Sequence, residues 1–190
     1  SWTPKMDEDG LQLMKENTID FISYSYYRSA VYATDATMLN NTGGIKGKDN
    51  PYLTECSPKP WSWPVDPEGL RLLINVFEDR YHLPQFIVEN GIGLDENLDE
   101  NGKIEDPFRV HYLEEHLKQV ALAIEDGCQV MGYLWWGPID VVSAGTGEMK
   151  KRYGFVYVDR FNDGHGTLER KIKNSYYRYK EIIESNGEAL

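Results

Sequence analysis

The stretch Pro84-Gln85-Phe86-Ile87-Val88-Glu89-Asn90-Gly91 decides the fold of this chain. Its apolar run lies between a proline and an Asn-Gly pair, and its Ile, Val and Phe content is typical of a strand buried on both faces. Glu89 stands at the carboxyl end of that strand, where α/β folds place their chemistry. The stretch therefore predicts a buried strand that presents one carboxylate at a functional rim.

The chain around this strand alternates between strand and helix patterns. Residues 19–27 form one β-favouring run and residues 130–136 form another, while residues 28–65 form a long connection. Asp66-Pro67-Glu68 and Asp106-Pro107 each supply a helix N-cap followed by the proline that the first helical position favours. The alternation predicts an α/β fold with a parallel sheet and right-handed crossovers.

Apolar residues at helical spacing predict the buried face of each helix. In the two capped helices they are Leu70, Leu73, Ile74, Phe77 and Tyr81, then Val110, Leu113, Leu117, Val120 and Ile124. In a last helix near residues 169–185 they are Ile172, Tyr176, Tyr179 and Ile183. His111 and His116 are not spaced as metal ligands on one helix face would be, so both are expected at the helix surface.

The connections contain two patterns that resemble ligand loops without completing them. Gly91-Ile92-Gly93 lacks the third glycine of a dinucleotide loop, and Glu100 stands where the turn glycine of a calcium loop belongs. The connection up to residue 105 is therefore expected to be a polar loop. Asn162-Asp163-Gly164, after a short strand at residues 153–158, predicts a hairpin turn.

The composition excludes some classes of partner. A formal charge of −11 over 190 residues argues against nucleic acid and anionic membrane surfaces, while leaving room for one local cationic pocket. Cys56 and Cys128 lack metal-ligand spacing, which favours reduced thiols in a cytoplasmic protein. No leader pattern opens the chain, and its apolar stretches are shorter than a membrane span. Neither a metal nor a cofactor is expected.

The predicted sheet is incomplete. The length and the 41% hydrophobic content suit a single domain with its own core. However, three parallel strands cannot close a barrel, and they leave two unpaired edges. Such edges predict that the chain associates with itself or pairs with a missing part.

Six motifs together resemble family 1 glycoside hydrolases. Residues 86–91 resemble the family's nucleophile motif, (I/V)-x-E-N-G. The other matches, in chain order, are D-F-x-x-x-(N/S)-Y-Y at 20–27, W-x-W…D-P-x-G-L-R at 61–71, R-x-x-Y-L-x-x-H-L at 109–117, G-Y-x-x-W-S-L-x-D at 132–140 and R-(Y/F)-G-x-x-Y-V-D at 152–159.

The resemblance implies the family's (β/α)₈ barrel fold. Residues 1–190 would hold strands six to eight with their helices, as the carboxyl-terminal part of one catalytic domain that lacks strands one to five. The family's N-E-P motif, which carries the acid/base glutamate, does not occur in this sequence. The chain alone is therefore expected to be inactive in hydrolysis, as a phospho-sugar-binding or an assembly fragment.

The resemblance also assigns roles around the sugar ring. Retaining glycosidases use one carboxylate as nucleophile and a second carboxyl group as acid/base. Glu89 matches the nucleophile, and Tyr27 matches the tyrosine that hydrogen-bonds and orients it. Trp136 matches the tryptophan under the sugar ring, and Trp61, in the W-x-W motif, is counted among the substrate-binding residues.

Specificity is expected after the eighth strand. Ser143 stands where many β-glucosidases of the family carry a glutamate, and with Lys151 and Tyr153 it resembles the S…K-x-Y signature of the 6-phospho-β-glycosidase branch. A hydroxyl, an ammonium and a phenol can all donate to a phosphate, which a carboxylate would repel. The spacing leaves Lys150 as an alternative to Lys151.

The resemblance therefore implies a substrate class. Ala144 stands where phospho-β-galactosidases carry a bulky tryptophan, which favours hydrolysis of 6-phospho-β-D-glucosides to glucose 6-phosphate and an aglycone. A 6-phospho-β-galactosidase is the alternative.

Overall fold

The computed structural model describes residues 5, 7–31, 41–42, 45–46, 50 and 52–190. Part of the long connection predicted over residues 28–65 lies outside these residues. The elements of the described chain are α1 (Glu8–Glu16), β1 (Ile22–Ser25), β2 (Asn41–Thr42), β3 (Ile45–Lys46), α2 (Pro67–Tyr81), β4 (Gln85–Asn90), β5 (Leu94–Asp95), α3 (Pro107–Glu125), β6 (Val130–Trp135), β7 (Lys151–Arg152), β8 (Val156–Val158), β9 (Arg170–Ile172) and α4 (Asn174–Glu184).

The predicted parallel sheet is present, with strand order β1-β4-β6. Strand β4 lies in the middle and pairs in parallel with both neighbours. One face of β4 is buried, because Ile87 packs into a core with Leu70 and Ile74 of α2. Phe86 and Val88 are only half-buried, so the expectation of burial on both faces is wrong for the described residues.

Helix α2 begins as its sequence predicts. The Asp66 side chain caps it by accepting a hydrogen bond from the Gly69 amide at 2.9 Å, and Pro67 occupies the first turn. A larger residue than glycine would not fit at position 69 without a shift of its neighbours, because an added Cβ would lie 2.3 Å from the Tyr26 hydroxyl oxygen. The Tyr26 hydroxyl donates to the Asp66 carbonyl at 2.6 Å and so joins the end of β1 to the start of α2.

Helix α3 buries Leu113 and Val120 of the predicted face, but it also buries polar side chains that the apolar pattern did not predict. Ile124 is 51% exposed, whereas Arg109 and His116 are fully buried. The expected surface position of His116 is therefore wrong, whereas His111 is exposed as expected. His116 Nδ1–H donates to the Tyr112 carbonyl at 2.7 Å, and the two rings stack at 3.9 Å. Burial lowers the pKa of His116 to about 4, so the ring is neutral and compatible with the core.

The carboxyl-terminal region also differs in detail. Strands β8 and β9 form the antiparallel hairpin that the Asn162-Asp163-Gly164 turn predicts. Because β9 occupies residues 170–172, the last helix begins at Asn174 rather than near residue 169. The buried residues of α4 are Ser175 and Ile182, and Tyr179 packs against the core. Three of the four residues of the predicted apolar face, Ile172, Tyr176 and Ile183, are exposed.

The connection after β4 is not the polar loop that its composition suggests. Leu94 pairs with Arg152 and Asp95 with Lys151 in an antiparallel ladder between β5 and β7. Glu96 follows this ladder and is nearly buried. The ladder therefore ties the segment after β4 to the segment that carries Lys151 and Tyr153. None of the helices in the described part of the chain is long and apolar enough to cross a membrane.

Candidate active site

Glu89 is held at the carboxyl edge of the sheet by two hydroxyl donors. Ser25 Oγ donates to Glu89 Oε2 at 2.9 Å, and Tyr27 Oη donates to the same oxygen at 3.0 Å. The other carboxylate oxygen, Oε1, accepts no hydrogen bond from the described residues. The carboxylate is thus oriented through one oxygen while the second stays available for chemistry.

The Tyr27 phenol is a neutral donor. Burial, followed by the hydrogen bond to Glu89 and the charge on that carboxylate, raises the pKa of Tyr27 far above its usual value. Its ring packs near Trp63, with centroids 6.2 Å apart. A phenol that does not ionise at physiological pH keeps its proton directed at Glu89.

Asn90, the residue after Glu89, fixes the end of strand β4. Its side chain is fully buried, donates to the Tyr26 carbonyl at 2.7 Å, and accepts from the Tyr133 hydroxyl at 2.5 Å. Its carbonyl accepts from the Trp136 amide at 2.8 Å. These contacts join the ends of all three parallel strands, so Tyr27, Glu89 and Trp136 are held at one edge.

A cavity of about 620 Å³ opens above this edge. Every residue predicted to bind substrate lines it, as does Tyr27: the lining includes Trp61, Trp136, Ser143, Lys151 and Tyr153. Glu89 is placed at the same cavity by its two donors, Ser25 and Tyr27, which both line it. Six of the seven predicted site residues therefore line one cavity, and the seventh, Glu89, is hydrogen-bonded to one of them, Tyr27.

Lys151 is a buried cation inside an aromatic cage. Its ammonium lies 5.7 Å from the Trp61 ring centroid, 5.4 Å from that of Trp63 and 5.7 Å from that of Tyr153. The residue is only 8% exposed, and no carboxylate of the described chain lies within 4 Å of its nitrogen. Cation–π contacts stabilise such an ammonium in part, and the missing counter-ion favours an anionic ligand.

Lys150 occupies a different environment from its neighbour. Its ammonium pairs with Asp95 at 2.6 Å, and 44% of its side chain is exposed. It does not line the cavity, whereas Lys151 does. Between the two lysines that the spacing left open, the geometry favours Lys151, which lines the cavity together with Arg28.

Two hydroxyls complete the cationic end of the cavity. Ser143 Oγ and Tyr153 Oη lie 3.0 Å apart and share a hydrogen bond. The Ser143 backbone is fixed by Glu148, whose carbonyl accepts from the Ser143 amide at 3.0 Å. The Glu148 carboxylate in turn accepts from Trp61 Nε1 at 2.9 Å, which keeps this negative charge on the Trp61 side.

Sequence reasoning missed two residues of the site. Ser25 shares Glu89 Oε2 with Tyr27, and Trp63 forms one wall of the cage. Both had a usable signal: Ser25 lies two residues before Tyr27 in the same extended run, and Trp63 is the second tryptophan of the W-x-W motif. Within the described residues, no cluster of three or more His, Cys, Asp or Glu side chains is arranged to hold a metal.

The family model for glycosyl hydrolase family 1 matches residues 1–188 of this chain. The chain belongs to that family. This family 1 chain is 51% identical over 175 residues to a 6-phospho-beta-glucosidase of Dickeya chrysanthemi, covering 91% of the chain and 37% of that protein. It is 48% identical over 188 residues to the aryl-phospho-beta-D-glucosidase BglH of Bacillus subtilis, covering 98% of the chain and 39% of that protein.

Solved structures agree with the family and with the partial coverage. A β-glucosidase from Thermotoga maritima, solved in complex with noeuromycin, matches with a TM-score of 0.76 at 28% identity. The match covers 96% of this chain and 39% of that protein. The fold prediction is confirmed: this family 1 chain is a carboxyl-terminal portion of the (β/α)₈ barrel, about two fifths of its relatives' length.

Proposed function

We propose that this chain supplies the nucleophile and the phosphate-binding part of a retaining 6-phospho-β-glucosidase. The observation that carries the proposal is the position of Lys151, a buried cation without a carboxylate partner among the described residues, in the cavity that is also lined by Ser25 and Tyr27, the two donors to Glu89. A neutral glycone would leave that charge unpaired, whereas a phosphate would compensate it. The names of the two bacterial relatives above support the same substrate class.

The nucleophilic step follows from the geometry around Glu89. Glu89 Oε1 attacks the anomeric carbon and forms a glycosyl ester as the bond to the aglycone oxygen breaks. Ser25 and Tyr27 hold Oε2, so they orient the carboxylate during the attack and stabilise its remaining charge. Water then attacks the same carbon, releases Glu89 as a carboxylate and leaves a sugar with retained configuration.

The second carboxyl group has to come from outside this chain. Retaining enzymes protonate the leaving oxygen with an acid/base group about 5–5.5 Å from the nucleophile. Among the described residues that line the cavity there is no Asp or Glu, and the N-E-P motif does not occur in this sequence. The chain alone is therefore proposed to be silent in hydrolysis while retaining the phosphate-binding groups.

The 6-phosphate is proposed to sit among Ser143, Lys151 and Tyr153. The Lys151 ammonium supplies the charge, and the two hydroxyls, already 3.0 Å apart, supply directed donors. One ion pair at about 4 Å has a gross Coulomb energy of about 4 kcal/mol at the effective dielectric of a protein surface. That magnitude is enough to separate phosphorylated from plain glucosides. A glucoside rather than a galactoside is supported by Ala144 and by the relatives' names.

Residues 1–190 are proposed to be the carboxyl-terminal part of one barrel domain. Both outer strands of the sheet, β1 and β6, have a free edge in the described structure. Exposed apolar side chains lie beside the β6 edge, including Met131 at 53% and Leu134 at 49%. A segment carrying strands one to five would cover both edges. A phosphorylated sugar, as a metabolite made inside the cell, is consistent with a cytoplasmic enzyme.

A fusion protein tests this function. In it, this chain follows the part of the Bacillus subtilis relative that the chain does not cover; we refer to it as the completed barrel. We expect it to hydrolyse 4-nitrophenyl β-D-glucoside 6-phosphate in preference to the plain 4-nitrophenyl β-D-glucoside. The Glu89→Gln variant should have no measurable turnover. A preference for the plain glucoside would refute the phosphate assignment, and hydrolysis by the chain alone would refute its silence.

A further inference from the structure

A buried charge cluster lies behind the proposed phosphate site. It contains three cations and three carboxylates, and it is therefore charge-balanced: Arg109, Arg152, Lys173, Glu96, Asp106 and Asp140. The three cationic side chains are at most 1% exposed, and the carboxylates at most 8%. None of the six lines the cavity, so the cluster does not contact a ligand there.

Lys173 joins the two halves of this cluster, the Glu96–Arg109 pair and the Asp140–Arg152 pair. Its ammonium donates to Glu96 Oε2 at 2.6 Å and to Asp140 Oδ1 at 2.9 Å. The second oxygen of each carboxylate binds an arginine. Glu96 Oε1 accepts from Arg109 at 2.6 Å, and Asp140 Oδ2 accepts from Arg152 at 3.3 Å. Removing the ammonium would leave two neighbouring buried carboxylates without the cation that both share.

The cluster is attached to the backbone on which the phosphate groups are carried. Arg109 donates to the Tyr153 carbonyl at 2.8 Å and to the Arg152 carbonyl at 3.1 Å. Asp140 Oδ1 accepts from the Gly154 amide at 2.8 Å. The peptide groups of residues 152–154 are thus hydrogen-bonded to both halves of the cluster, through Arg109 and through Asp140.

Because side chains alternate along a strand, the attachment of this backbone also determines the positions of Lys151 and Tyr153. Successive residues of an extended strand point to opposite sides. Arg152 points into the cluster, where its guanidinium also lies 4.0 Å from the Tyr157 ring centroid. Lys151 and Tyr153, on either side of it, point into the cavity. A shift of Arg152 therefore moves both of them at once.

We propose that Lys173 is a positioning residue for recognition of the 6-phosphate. It acts through Glu96 and Asp140 on the backbone at 152–154 and so holds Lys151 and Tyr153 in place. The inference rests on the proposed function for its substrate, but the mechanical link itself is independent of any substrate. The side chains of Glu89 and Tyr27 make no hydrogen bond to the cluster in the described structure, and the segment after β4 is reached by Arg109, at the Ile92 carbonyl, rather than by Lys173. We therefore expect the nucleophile to keep its position without Lys173.

The first test measures the position of Lys151 without a substrate. The rings of Trp61, Trp63 and Tyr153 surround its ammonium, so ring currents shift the NMR signals of its ε-methylene group. In the completed barrel, Lys173→Met should move these signals toward their values in an unstructured lysine. The matched control is Lys180→Met, which removes a lysine of α4, the helix that begins directly after Lys173, from an exposed pair with Glu184 and should change nothing. Unchanged signals in Lys173→Met overturn the proposal.

The second test separates positioning from general damage. A misplacement of about 1 Å can cost about 100-fold in rate, so Lys173→Met should lower kcat/KM for the 6-phosphate substrate by about that factor, mainly through KM. For the plain glucoside we expect less than about a threefold change, because Glu89 and Tyr27 keep their geometry. An equal loss on both substrates assigns Lys173 a merely structural role and overturns the proposal.

A second variant, which keeps the cluster charge-balanced, tests the proposal if Lys173→Met alone does not fold. Lys173→Met combined with Glu96→Gln removes one cation and one anion, and it should show the same selective loss. If neither variant folds, the cluster determines the fold rather than the site, and the proposal is overturned. If the unmodified completed barrel shows no phosphate preference while Lys173→Met still displaces the Lys151 signals, the proposed function fails and the mechanical link stands.

Discussion

Replacing Lys151 by methionine tests the phosphate assignment most directly. Methionine fills a similar volume and makes favourable contacts with aromatic rings, so the cage of Trp61, Trp63 and Tyr153 should stay packed. The gross ion-pair energy of about 4 kcal/mol is reduced by desolvation, and a hydrogen bond to a charged group contributes about 1.5–3 kcal/mol net. At about 1.4 kcal/mol per factor of ten, kcat/KM for the phosphorylated substrate should fall by about 10- to 150-fold.

The assay compares two substrates and two lysines. Turnover of 4-nitrophenyl β-D-glucoside 6-phosphate and of the plain glucoside is followed in the completed barrel carrying Lys151→Met. Lys150→Met is the matched control, because Lys150 is a neighbouring lysine whose ion pair with Asp95 is exposed and contributes about 0–1 kcal/mol. We expect Lys150→Met to keep the preference for the phosphorylated substrate.

The same substitution also has an expected effect on stability. Lys151 is a buried charge without a carboxylate partner in the described chain, so its desolvation is a cost to the free protein. Lys151→Met should therefore raise Tm while it lowers phosphate selectivity. Equal losses on both substrates, or a loss of selectivity in Lys150→Met instead, would refute the reasoning.

Three further predictions concern the nucleophile and the core. Tyr27→Phe removes one of the two donors to Glu89 Oε2 and should lower kcat of the completed barrel by about 10- to 100-fold, with little change in Tm; an unchanged kcat would exclude the orienting role. The pKa of His116 is about 4 in the folded chain and 6.5 in the unfolded reference, so the unfolded state binds more protons between these values. Stability should therefore fall by about 3 kcal/mol as the pH drops through that window, and His116→Gln should flatten the dependence of Tm on pH. Gly69→Ala should destabilise by about 1–3 kcal/mol in urea unfolding, because its Cβ would meet the Tyr26 hydroxyl; a stabilised variant, as helix propensity alone would favour, would contradict the packing.

The sheet and the rim were predictable because their signals are local. A strand bounded by a proline and an Asn-Gly pair, and helices opened by Asp-Pro, are each specified within a few residues. The motifs then placed Tyr27, Glu89 and Trp136 on the same edge, and the structure brings them there. Because parallel strands align their carboxyl ends, the position of Glu89 at the end of one strand also predicted where Tyr27 and Trp136, at the ends of the neighbouring strands, would lie.

The burial of Arg109 on α3 could not be predicted because most of its partners are distant in sequence. Arg109 is buried only because the carbonyls of residues 92, 152 and 153 and the carboxylates of Glu96 and Asp106 meet its five donors. An apolar pattern cannot encode that arrangement, and it favoured Ile124 instead. His116 is buried for a different reason, because its polar partner is local: the Tyr112 carbonyl accepts from its ring and the Tyr112 ring stacks on it, which a pattern of apolar residues does not reveal.

The two-residue strands β5 and β7 could not be predicted from the sequence, for a different reason. The β5–β7 ladder pairs Leu94–Asp95 with Lys151–Arg152, and a period of two cannot be recognised in so short a stretch. The start of α4 differs from the prediction because the three-residue strand Arg170–Ile172 pairs with β8 before the helix begins. In both places the tertiary pairing overrides the local pattern.

The joining of the three strand ends through Asn90 has an evolutionary consequence. Because the proposed nucleophile, its orienting phenol and the proposed sugar- and phosphate-binding residues all lie on one uninterrupted stretch of polypeptide, they can be inherited as a single cassette. A genetic crossover upstream of the first strand would exchange glycone preference between homologous enzymes while leaving the proton donor of the recipient untouched.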